Sequence, residues 1–218
     1  MLSTTEYTVP NPRRAYAMVL MLIGSIVISF SGLVIRYIHS ADNWQINLYR
    51  SLAFGLAISI VLLFRYRKIA PRQLKGIGLQ GVWAAVLIAF ASISFLQAIT
   101  NTTVAATTFT LSSIPFLTAA MAWLFLGESI GKSTIFTMLA AIFGISLMFI
   151  QGLGSGSFYG NFMAFLCAIG FSGYAIIIRR NRASEMLPTL ILSNLIIMLL
   201  ALILRWDNIS VSWYDLIL

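Results

Sequence analysis

Acid is what this chain has least of. Asp and Glu together number six, against fourteen Lys and Arg, in 218 residues. None of the six lies inside a long apolar stretch. There is one histidine and one cysteine. A lone Cys forms no disulfide within the chain and makes no metal site, so Cys167, set in an apolar run, reads as packing. No HExxH occurs, and His39 stands in a linker. Metal-dependent or acid–base catalysis therefore lacks its parts, and neither enzyme activity nor a cofactor is expected. Charge of either sign is scarce, at 9%, where a soluble domain carries about 25%. Hydrophobic residues make up 60%, and the mean hydropathy is +0.93. A soluble fold leaves about a third of its unfolded surface exposed, too much for a chain this apolar. Lipid as solvent removes the difficulty. The net charge of +8 then needs no nucleic-acid partner, because basic residues gather in the cytoplasmic loops of membrane proteins.

A helix crosses the hydrocarbon core with about 20 apolar residues, and in lipid only a helix satisfies the backbone of such a run. Seven runs qualify: 15–36, 45–64, 79–99, 103–126, 133–151, 159–178 and 188–205. The expected fold class is an all-α, polytopic membrane helix bundle. Residues 1–14 form a polar tail ending in Arg13-Arg14. The run that follows is longer than a signal-peptide core and reads as a retained first helix. Arg65, Arg67, Lys68, Arg72 and Lys75 lie between spans two and three, Lys132 between four and five, and Arg179, Arg180 and Arg182 after span six. All fall on one side, which the positive-inside rule makes cytoplasmic. The amino end is then inside and residue 218 outside. Trp44, Trp206 and Trp213 fall near the outer edge, Trp83 and Trp123 near the inner one, as an aromatic belt predicts.

Span one ends "ISFSGLVIRY" and span six ends "IGFSGYAIIIRR". Phe30-Ser31-Gly32 matches Phe171-Ser172-Gly173, with arginine closing each helix. The copies are five spans apart and so run in opposite directions, the pattern of an inverted-topology repeat. With a five-helix unit, spans six and seven begin a second copy that stays incomplete, and a parent of ten helices is expected. Span four with its flanks reads "NTTVAATTFTLSSIPFLTAAMAWLFLGESIG". This Ser/Thr-rich helix, with a mid-helix proline, an aromatic end and Gly-Glu, resembles the fourth helix of EamA-type carriers of the drug/metabolite transporter superfamily. The resemblance covers residues 15–205. It implies ten helices in two inverted halves, 15–151 forming the first repeat and 159–218 the start of a second. It also implies transport of amino acids, other small metabolites or drugs.

Candidate site residues follow. Pro115 removes a backbone donor and bends span four, with Ser112 and Ser113 beside the break. Asn101, Thr108, Ser112 and Pro115 approximate one stripe at helical spacing. The stripe is either the polar wall of a central cavity or a packing kink whose hydroxyls bond their own backbone. Ser94 and Gln97 sit one turn apart in span three, able to hold a neutral polar solute or a neighbouring helix. Ser172 and the glycines Gly32 and Gly173 are small positions suited to close packing or to a hinge, and Ser172 is also a candidate to contact the solute. Glu128 in "LGES" either caps span five, pairs with Lys132, or forms a gating pair at the cytoplasmic edge. Arg50, about 7–9 Å inside the outer end of span two at ~1.5 Å per residue, has two readings. It snorkels outward to headgroups, or it faces a water-filled cavity and offers a fork of donors to a carboxylate or phosphate, with Tyr49 and Trp44 as an aromatic wall.

The function expected is secondary transport of a small solute across the plasma membrane (the inner membrane) by alternating access. With no intramembrane carboxylate to relay protons, facilitated diffusion or exchange is the expected mode. The lipid bilayer and a small-molecule substrate are the expected partners. Oligomeric state is not legible, and a homodimer is compatible with it. The alternatives are a seven-helix receptor, which would normally carry its amino end outside, and a non-transporting structural membrane protein.

Overall fold

A computed structural model describes residues 12–38, 41–66, 78–155, 157–181 and 187–204. Among these, every regular element is a helix: α1 (Pro12–Tyr37), α2 (Asn43–Tyr66), α3 (Leu79–Asn101), α4 (Val104–Leu111), α5 (Ile114–Leu126), α6 (Lys132–Ser155), α7 (Phe158–Arg180) and α8 (Leu187–Leu204). The tail through residue 11, His39, the basic linker 67–77, Arg182, Arg205, Trp206, Trp213 and residue 218 lie outside the described residues. Four stretches are long and apolar enough to cross a membrane: Asn43–Phe64, Leu79–Asn101, Val104–Leu126 and Phe158–Arg180. Shorter apolar stretches are Met18–Val27, Lys132–Leu147 and Pro188–Leu204. The chain is thus an all-α polytopic bundle.

The helix ends show why the observed elements outrun the apolar runs. Asp42 precedes α2 and its carboxylate accepts from the Asn43 N–H at 2.8 Å, while Gln45 Oε1 accepts from the Asp42 N–H at 2.8 Å. A side chain reaching back to the N-cap amide is half of a capping box, and it starts the helix two residues before the apolar run. At α4 the Thr103 hydroxyl accepts from the Ala106 N–H at 3.0 Å. At the end of α5, Gly127 takes φ 69, the left-handed conformation that closes a helix at little cost only for glycine. Span four is not one helix. Pro115 stands in the first turn of α5, where its missing N–H costs little, and α4 ends four residues earlier at Leu111. Ser112 and Ser113 bridge the gap with bonds of their amides to Phe109 O at 3.1 Å and Thr110 O at 3.1 Å.

α1 forms a compact unit of its own and residues 40–217 another. Within α1, Ser25 and Ser29 donate to Met21 O and Ser25 O, both at 2.9 Å, satisfying themselves inside the helix. In the larger unit the most extensive pairing is α3 with α7, followed by α2 with α8. α3 and α7 run antiparallel. Gly160 lies against Asn101 and Thr102 at one end, and Gly173 lies against Leu87 towards the other. Close approach needs small residues at the seam, and Ala84, Ala91, Ala98, Ala164, Cys167 and Ala168 are all buried there or nearby. The contact at Gly160 is the tightest: a Cβ there would stand 2.7 Å from the Asn101 carbonyl carbon. Asn161 adds a polar tie, accepting at 2.9 Å from the Thr102 hydroxyl. Outward faces stay apolar, as Phe64, Phe136 and Phe143 illustrate, which suits lipid and not water.

Candidate functional site

Three polar clusters break the apolar bundle, and each has a different character. The first is built on Arg50. In α2 the positions Asn47, Ser51 and Gly55 recur every four residues and so share a face. Gly55 meets Asn194 of α8 at 3.6 Å for a Cβ. Arg50 leaves α2 towards α3: its Nη2 donates to the Ser92 carbonyl at 3.2 Å, to the Ser92 hydroxyl, and to Asn47 Oδ1 at 3.3 Å. Ser92 is nine residues from the Asn101 end of α3, or about 13–14 Å along the axis. The guanidinium therefore points into the bundle, and the outward, headgroup-seeking alternative does not describe it. Asn47 is wholly buried and Ser51 is 3% exposed, yet among the described residues Asn47 Nδ2 and Ser51 Oγ have no hydrogen-bond partner. Buried polar atoms are nearly always paired, so two orphans beside a half-buried cation mark a departure from ordinary packing.

The second cluster joins the start of α2 to the end of α3. Asn43 Nδ2 donates to Gln97 Oε1 and to the Thr100 hydroxyl, both at 2.9 Å, and Asn101 Nδ2 donates to Gln97 O at 2.8 Å. Gln97 thus holds a neighbouring helix, the second of the two roles open to it. Ser94 is buried in α3. Tyr49 is half-buried, one residue before Arg50.

The third is the break in span four. Ser172 of α7, fully buried, donates to the Ile114 carbonyl at 3.2 Å, which ties α7 to the first turn of α5. A cleft of about 510 Å³ opens beside this bond, lined by Ile114, Phe171, Tyr174, Ala175, Ile178 and Arg179. Towards the end of α7, Arg179 pairs with Glu128, which follows α5, at 2.9 Å. A second cleft, of about 310 Å³, includes Trp83, Leu87, Met121, Gly173 and Arg180 in its wall.

The single stripe and the Glu128–Lys132 pair need correction, while Thr108, Ser112 and Gly173 follow one of the two readings open to each. Asn101 is the last residue of α3 and Thr108 belongs to α4, with a corner at Thr102–Thr103 between them, so they share no stripe. Thr108 donates to Val104 O at 2.9 Å and Ser112 to Phe109 O at 2.6 Å, so both hydroxyls serve their own backbone. Glu128 pairs with Arg179 and not with Lys132, which opens α6 on an exposed position. Gly173 packs on Leu87, where a Cβ would lie 3.1 Å from Cδ1. Gly32 lies within α1, and its surroundings fall outside the described residues. Asn47, Ser51, Ser92 and Arg179 were not singled out from sequence. The spacing of Asn47 and Ser51, a full turn apart in an apolar helix, was a legible signal; Ser92 was not distinguishable from Ser94 without the rotation of α3.

Comparison with curated proteins and with solved structures returned no match. A family description does match: residues 15–150 fit the EamA-like transporter family. That region takes in Arg50 with its partners on α2 and α3, both sides of the span-four break, and Glu128. A polytopic bundle with an interrupted helix and inward-facing polar groups is what such a protein requires, and the chain belongs to the EamA-like transporter family.

Proposed function

We propose that the protein is a secondary carrier that moves a small metabolite across the plasma membrane by alternating access, the solute being an amino acid, a nucleotide-like metabolite or a drug. One observation carries the reading: span four is interrupted at Ser112–Ser113, and the interruption borders a cleft of about 510 Å³ between α5 and α7. Carriers of this kind place solutes at broken helices near mid-depth, and the cleft has the size of a small-molecule site. Phe171 and Tyr174 supply its aromatic wall. The Glu128–Arg179 pair, at the cytoplasmic end in this reading, ties α5 to α7 and serves as a gate between them.

Two inverted half-bundles are part of the proposal. The Phe-Ser-Gly match sets an offset of 141 residues, which equates Gly55 with Ile196 and Asn194 with Ala53. Gly55 and Asn194 touch where α2 crosses α8. The crossing thus falls within two residues of the point at which the offset would exchange the two helices, as a pseudo-twofold axis through it requires.

The test is flux into and out of proteoliposomes holding the full protein, measured with labelled amino acids, nucleosides and aromatic drugs. At least one solute is expected to move saturably and to show counterflow. Tyr174→Ala is expected to raise its KM about 10-fold, using ~1–2 kcal/mol for a lost aromatic contact. Saturable flux that Tyr174→Ala and Phe171→Ala leave unchanged would remove the cleft from the route. No counterflow for any class would overturn the carrier reading.

A further inference from the structure

Resting on the carrier reading, we infer that the junction of α2, α3 and α8 is a carboxylate subsite built on Arg50, Asn47, Ser51 and Ser92, so that the transported solute bears a single carboxylate. The argument is an inventory of donors and charge. Arg50 brings one fixed positive charge among helices whose interiors hold no Asp or Glu. Its three hydrogen bonds all leave from Nη2 and all end on neutral oxygens. A cation half-buried among apolar helices without an anion is costly, and such cations mark substrate pathways.

The remaining groups point the same way. Arg50 has donors on Nε and Nη1 beyond those used, since a guanidinium carries five N–H groups. Among the described residues, Asn47 Nδ2 donates to nothing, nor does Ser51 Oγ. An amide flip does not relieve Asn47, because Nδ2 would then face the guanidinium and lose the bond that Oδ1 accepts. The junction therefore holds a surplus of donors and one net positive charge. Its complement is an acceptor-rich monoanion. A carboxylate has one charge, two oxygens, about four acceptor positions and a planar fork that suits guanidinium. A phosphate dianion would leave one negative charge uncompensated. Asn47 Nδ2 and Ser51 Oγ are closed to solvent in this conformation, and they share a face with Gly55, which rests on α8. Opening between α2 and α8 would admit the solute, so occupancy is coupled to the motion that a carrier makes.

The test is binding to the purified full protein in nanodiscs, with carboxylates paired with their own primary amides. The probes are L-leucine with L-leucinamide, L-phenylalanine with L-phenylalaninamide, and benzoate with benzamide, plus inorganic phosphate. At least one carboxylate is expected to bind about 10-fold or more tightly than its amide, the scale of a charge-assisted hydrogen bond. Arg50→Lys, which keeps the charge and loses the fork, is expected to weaken that carboxylate by about 10-fold. Ser51→Ala is expected to weaken it by about 3- to 10-fold while the unliganded protein melts at the same temperature or higher, because no bond is lost when an orphan hydroxyl goes. A merely structural Ser51 would do the reverse, lowering the melting temperature and sparing affinity. That outcome, equal binding of every carboxylate and its amide, or phosphate binding tighter than all of them would each overturn the subsite. Flux measured alongside separates the two readings. Saturable transport indifferent to the carboxylate keeps the carrier and removes the subsite. Carboxylate binding that Ser51→Ala weakens, with no flux of any probe, keeps the subsite and removes the carrier.

Discussion

Polar side chains inside this bundle divide by where their hydrogen bonds end. Thr108, Ser112, Thr137 and Ser146 all donate to carbonyls three or four residues back, so each is neutral to its surroundings. Asn43, Arg50 and Ser172 reach other helices, and these position the rest. Arg50 could be singled out from sequence because charge inside an apolar run is expensive wherever the side chain points. Its direction could not, since snorkelling and burial differ only in the rotamer and in what α3 offers. The Glu128–Arg179 pair is about 40% exposed on each side, so its contribution to stability is ~0–1 kcal/mol. Glu128→Gln should therefore shift the melting temperature little, while changing the ratio of influx to efflux if the pair is a gate. A large loss of stability with unaltered flux would identify it as a plain strut.

At the scale of the element, the seam between α3 and α7 is set by side chains that are missing. Gly160→Ala puts a Cβ 2.7 Å from backbone atoms that cannot rotate away, and overpacking of that kind costs about 1–3 kcal/mol. Gly55→Ala meets only Asn194 Cβ, at an ordinary 3.6 Å, and gains up to about 1 kcal/mol of helix propensity. Thermal melts in detergent should show the first variant well below the second; equal melting would mean that the seam is looser than described. The break in span four is the other feature of this scale. Pro115→Ala restores a donor for a continuous helix, and slower amide exchange at residues 111–116 together with reduced flux is the expected pair of readouts. Proline made the kink legible. The separation into α4 and α5, with two serines between them, and the tie from Ser172 of α7 to the Ile114 carbonyl beside it, emerged only in the structure.

For the whole molecule, orientation is the quantity that charge predicts and packing does not reveal. Cys167 is buried, so the native chain is a quiet background for cysteine labelling. With the amino end inside, Ser129→Cys, in the turn after α5, should react with an impermeant maleimide only after the membrane is opened. Ser157→Cys, before α7, should react in intact cells. The reverse pattern would turn the molecule over and restore the receptor topology. The helical class was legible because apolar runs of near-membrane length admit no other backbone solution; of the seven runs expected to span, four among the described residues are long and apolar enough to cross. Partner choice was not: α3 lies chiefly on α7, and α2 on α8, pairings remote in sequence that no linker length imposes.

Composition and the length of the apolar runs determined the solvent, the helical class and the approximate span ends, because each follows from transfer free energy and backbone satisfaction along one segment at a time. The family was legible from span four and its flanks for the same reason, as a local pattern. Only the tertiary structure decided which of two serines meets Arg50, which charge Glu128 holds, and which buried donors are left unpaired. Those outcomes depend on the rotation of one helix against another, and rotation is fixed by packing partners that lie tens of residues away.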